Sequence, residues 1–186
     1  MTTQVVTPKG QFSYPSLFTP KVNTLNGNKE YSVDILFPKS TDLKTIHEGI
    51  NAAIEKKFGS DKTKHPKNLR SPIRDGDEKE NNPEYAGKYY ITCKCNAEKN
   101  KPQVFDRSRK QLTHESDLAG GDFGHVLLNF YAYEKSGNKG VSAGLNGVML
   151  VEKTSEPFSG SKSAFEAFES LAEDVSLEEQ NEAMFG

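Results

Sequence analysis

Hydrophobic and polar positions alternate most cleanly from Lys88 to Asn96, Lys-Tyr-Tyr-Ile-Thr-Cys-Lys-Cys-Asn. A period of two predicts a strand with two unlike faces. Tyr89, Ile91, Cys93 and Cys95 form an apolar face; Lys88, Tyr90, Thr92, Lys94 and Asn96 form a mixed one. Alternation also predicts strands over Glu30 to Phe37, His125 to Glu134 and Val141 to Val151. Gln11 to Phe18 places Phe12, Tyr14 and Phe18 at one parity and pairs with the Glu30 strand across the turn Asn26-Gly27-Asn28. Pro15 and Pro20 mark that first strand as an edge or a bent strand. Leu43, Ile46, Ile50, Ala53, Ile54 and Phe58 recur at helical spacing. They predict one amphipathic helix, capped by Ser40 or Thr41 and ending near Gly59. Ser60 to Gly87 has no apolar period and reads as a long structureless loop. Gln103 to Asp106 is a short strand, and Ser136 to Gly140 is the loop of the last hairpin.

About five antiparallel strands, one helix and glycine-rich bends predict a mainly β fold. The expected form is an OB-fold-like Greek-key barrel with long loops; an open α+β sheet is the alternative. The glycine-rich run Leu118 to Gly124 lacks the spacing that cradles nucleotide phosphates, and reads as a sharp bend into the next strand.

Charge divides the chain. From 155 to 186 there are eight acidic residues against one lysine, while the whole chain carries −2, so the part before 155 is net basic by +5. The expected organisation is a body over 1–154 and an acidic, largely flexible tail over 155–186. A basic body suits a polyanion. On the Lys88 strand, cations alternate with a ring. Single-stranded nucleic acid matches that pairing, because its phosphates seek cations and its unpaired bases stack on flat rings. A half-exposed strand with a protective lysine edge is the plainer reading.

The cations expected to meet phosphates are Lys88, Lys94, Lys99, Lys101, Arg107 and Arg109, joined by Arg70 and Arg74 on the long loop. The rings expected to stack are Tyr90, Phe105, Phe12 and Tyr14. Tyr131 and Tyr133 share one face of the strongest strand and either stack bases or pack beneath a loop. A basic body is also compatible with duplex DNA.

Two cysteines, Cys93 and Cys95, lie on one strand face, with four histidines scattered elsewhere. The spacing offers no zinc site, and neither a metal nor a cofactor is expected. The sequence shows no secretion signal and no apolar run of the roughly 20 residues that span a bilayer, so no membrane partner is expected. Two other functions remain open. Asp75, Asp77 and Glu78 with Lys79 have the residue types of a metal-dependent nuclease site. A protein-interaction module without DNA binding, working through its tail, is the other.

Several stretches together resemble the tailed-phage single-stranded-DNA-binding proteins, an OB-fold group with an acidic C-terminal tail. They are Pro8-Lys9-Gly10, Tyr14 to Phe18, Tyr31 to Lys39, Pro72 to Asp77, Pro83 to Tyr90, Lys101 to Val104, Phe130 to Tyr133 and Asn138 to Asn146. The resemblance implies sequence-tolerant DNA binding in replication or recombination, no catalysis, and residence in the cytoplasm of an infected bacterial host. It also implies a tail that contacts replication proteins such as a DNA polymerase, through Glu173, Asp174, Glu178, Glu179, Glu182 and Phe185. Phe185 fits the aromatic tip of such tails, while the final Gly186 departs from it. The expected assembly is a monomer or a weak homodimer.

Overall fold

Eight strands and one helix make up a computed structural model that describes residues 2–158. The alternating segments form β1 (Gln4–Val6), β2 (Gly10–Val22), β3 (Lys29–Pro38), β4 (Ile73–Asp75), β5 (Lys88–Asn96), β6 (Gln103–Phe105), β7 (Phe123–Lys135) and β8 (Asn138–Glu152). The helical period is realised as α1 (Lys44–Phe58). Neither Ser40 nor Thr41 caps it. Asp42 does the work instead, its Oδ1 accepting the Lys44 N–H at 2.9 Å.

Strands β2, β3, β5, β8 and β7 pair in that order, and β7 returns to β2, closing a ring. This is an OB-type barrel. The expectation of uniformly antiparallel strands is corrected at two places: β5 and β6 both run parallel to β8. Local patterning carries no information on the direction of a distant partner. Inward positions supply the core, with Phe12, Val33, Ile35, Phe37, Ile91, Cys93, Val126, Leu128, Phe130 and Leu145 all buried. Ile46, Ile50 and Ala53 of α1 join the same cluster. Burial raises the Cys93 thiol well above its ordinary pKa, so this sulfur is packing material.

The ring closes where Gly10 of β2 faces Gly124 of β7. A Cβ at Gly124 would overlap the Met149 carbonyl, and one at Gly10 would lie 2.6 Å from Ile35. The corner therefore exists because neither residue has a side chain. The last hairpin is tighter than the sequence suggests. Its loop is Ser136-Gly137, with φ of 54° and 82°, as a two-residue turn of matching twist requires.

The segment from Ser60 to Gly87 is not structureless. Side-chain turns at Asp61 and Asp75 shape it, each carboxylate accepting a backbone N–H two residues on. Its middle is tied to the barrel. Arg70 exchanges backbone bonds with the last hairpin, accepting from Val141 and donating to Lys139, both at 3.0 Å. Then β4 pairs with β5. We call this segment the arm.

Candidate nucleic-acid interface

The arm, β5 and the last hairpin enclose one open groove of about 620 Å³. Arg70 and Arg74 come from the arm, Thr92 and Lys94 from β5, and Tyr131, Tyr133 and Lys135 from β7. Asn26 from the β2–β3 turn and Glu30 near the start of β3 complete the rim.

The cross-strand register explains the shape. Lys94 lies beside Gly144, and Tyr131 beside Ser142. The positions of β8 that share this outer parity are Gly140, Ser142 and Gly144. Small residues thus leave a trough, with cations along one side and tyrosines along the other. Tyr131 is 45% exposed, so its ring is available to a ligand. An OB barrel presents this kind of sheet face, flanked by these two hairpin loops, to oligonucleotides.

Of the residues expected from sequence, the groove brings together Arg70, Arg74 and Lys94. Phe12 is corrected: it is fully buried in the barrel core. A β-bulge between Ser13 and Ser16 breaks the parity that made Phe12 and Tyr14 look alike. Tyr14 instead adopts a φ of 47° and is 40% exposed. Tyr90 is corrected too. It faces outward from the barrel as its parity demands, but the arm covers it. Tyr85 packs edge-on against it at 5.1 Å, and Leu36 joins them in a second small core.

Lys88 is drawn away from the groove. Its Nζ donates to Gln11 Oε1 at 3.1 Å and sits 5.9 Å over the Phe158 ring, with burial lowering its pKa. Lys99, Lys101, Arg107 and Arg109 lie on other loops and Phe105 ends β6; none of them lines the groove. The tail positions Glu173, Asp174, Glu178, Glu179, Glu182 and Phe185 fall outside the described residues. Sequence reasoning missed Lys135 and left Tyr131 and Tyr133 undecided. The available signal was two tyrosines at i and i+2 opposite a glycine-serine-glycine strand.

A buried carboxylate fixes the arm on the sheet. Asp34 accepts the Tyr85 hydroxyl at 2.6 Å and the Thr92 hydroxyl at 2.7 Å. Burial, then Asp34, raises the Tyr85 pKa far above its ordinary value, so Tyr85 stays a donor. Lys79 lies 3.8 Å from Asp34, over the rings of both Tyr85 and Tyr90 at 4.6 and 4.8 Å.

The acidic turn that suggested a nuclease is engaged otherwise. Lys39 Nζ lies 3.0 Å from Asp75 and 2.6 Å from Asp77. Asp77 also accepts the Gly87 N–H, and Asp75 the Asp77 N–H. Those backbone donors first, and Lys39 second, hold both carboxyls below their ordinary range. They therefore favour the seated arm at neutral pH. That contribution is lost as pH falls below about 4 and through the depressed values. Among the described residues, no three metal-ligating side chains cluster.

A family model described as the ssDNA-binding protein of Enterobacter phage Enc34 matches residues 3–181. Among solved structures, the single-stranded-DNA-binding protein of bacteriophage Enc34 in complex with ssDNA is 25% identical, at a TM-score of 0.68, over 83% of this chain and 89% of that one. A further structure of the Enc34 single-stranded-DNA-binding protein is 25% identical, at a TM-score of 0.66, over 89% of each chain. Gp2.5 of bacteriophage T7, a single-stranded-DNA-binding protein, has a TM-score of 0.61 over 89% of this chain and 93% of its own. At 17% identity that likeness is one of fold. Among curated protein sequences, none matches.

Proposed function

Because the chain belongs to the single-stranded-DNA-binding protein family of Enterobacter phage Enc34, we propose that it coats unpaired DNA through the groove between arm and hairpin. The family is one of binding proteins without catalysis. Arg70, Arg74, Lys94 and Lys135 take phosphates, and Tyr131 stacks a base, with Tyr133 beside it. One observation carries this reading: cations and an exposed ring from three separate chain segments converge on one trough of the barrel. A duplex hides its base faces, so single strands are preferred. Recognition of a ring face and a phosphate is indifferent to sequence.

The test is titration of a labelled oligo-dT against the wild-type chain and Tyr131→Ala. Loss of the ring is expected to weaken binding by about 1–3 kcal/mol. An oligo-dT that fails to associate at low salt overturns the proposal.

We further propose that the tail, with eight acidic residues over 155–186, competes with DNA for the basic groove and carries contacts to replication proteins in the host cytoplasm. Removing 159–186 is then expected to tighten DNA binding, with a gain that shrinks as salt rises. Unchanged or weaker binding refutes the competition.

A further inference from the structure

Tyr14 is an odd residue to find where it stands. Its backbone is left-handed, with φ at 47°, a conformation that disfavours a bulky side chain. The bulge between Ser13 and Ser16 turns its ring outward, where 40% of the residue is exposed. The ring is held in place rather than packed away. Asn82 Nδ2 donates to its hydroxyl, and the Tyr85 ring stands 6.4 Å off, tilted at 35°.

A chain of contacts links this ring to the groove. Thr92, on the groove floor, donates to Asp34. Asp34 accepts from Tyr85 and faces Lys79. Lys79 covers Tyr85, and Tyr85 flanks Tyr14. In register, Ser13, Asp34 and Thr92 form one cross-strand row. Tyr14 therefore stands about two strand spacings, roughly 10 Å, beyond the groove edge. An ammonium lies between.

We infer that the DNA track continues out of the groove across the arm, with Lys79 meeting a phosphate and Tyr14 stacking a further base. Asn82 is a positioning residue that aims the ring. This deepens the groove reading and rests on it: the groove alone serves a short strand, and the Tyr14 seat is reached only by a longer one. The left-handed backbone at Tyr14 is retained because it delivers a ring to that place.

Oligo-dT of about 5 and about 15 nucleotides, spanning the usual range for one such barrel, separates the two readings. Tyr14→Ala is expected to leave the short strand's affinity unchanged and to weaken the long strand's about tenfold, with Tyr14→Phe, which keeps the ring but loses the bond from Asn82, recovering part of that loss. Tyr14→Gly, which relaxes the backbone, is expected to melt no lower than wild type and to show the same selective loss. Equal losses on both lengths, or none on either, overturn the Tyr14 seat while leaving the groove intact. If Tyr131→Ala affects neither length, or the wild type binds neither, the groove reading fails and the extension with it.

Discussion

Replacing Arg74 and Lys94 together with alanine is expected to reduce single-stranded DNA affinity about 25-fold at 0.1 M salt. Each phosphate neutralised on a single strand contributes a slope of about 0.7 in log affinity against log salt. Two lost contacts flatten that slope by about 1.4, and the deficit fades as salt nears 1 M. Both side chains are exposed, and Arg74 keeps its backbone pairing with Tyr90 whatever its side chain. The variant should therefore melt like the wild type. Affinity measured at four salt concentrations checks the result. A loss that is the same at every salt would mean that something other than phosphate contact was removed. No loss would move the site off this groove.

The second large effect concerns barrel closure. Gly124→Val is expected to destabilise the fold by about 3 kcal/mol or more, because there is no rearrangement short of parting strands that clears the Met149 carbonyl and the Phe12 ring. For a domain of this size that is a fall of about 6–12 °C in melting temperature. A thermal melt followed by circular dichroism measures it. A melting point within two degrees of wild type would show that the β2–β7 corner is looser than its close approach implies.

The barrel's strands, helix and hairpins were legible because each has a local period. Leu43 to Phe58 repeats at three and four, and Val126, Leu128 and Phe130 repeat at two, and each face that these periods predict is the buried one. Three-residue strands show no period, and of the three only β6 was read, just after the turn that ends at Pro102. So β1 went unread, although Val5 is buried against β7, and β4 was lost inside the arm. Ring closure between Gly10 and Gly124 joins positions far apart in sequence and leaves no local trace.

The site was half legible for a related reason. Parity told correctly which way Tyr90 faces, together with Thr92 and Lys94. It did not tell that Tyr85 and Lys79 would fold over Tyr90 and leave the other two open. Lys94 was legible because its strand is strongly patterned. Arg70 and Arg74 stood out only as basic residues on a long loop, and it takes the arm's attachment to β8 and β5 to bring them beside Lys94.

The bonds between Arg70 and the strand that starts at Asn138 have a consequence for a chain emerging from the ribosome. β4 already holds Arg74 on β5, but Arg70 has no backbone partner until the last hairpin has been translated. A nascent polypeptide that stops before that point carries the same arginines without a groove to hold them. Newly made molecules thus complete the groove late, once nearly the whole body has left the exit tunnel.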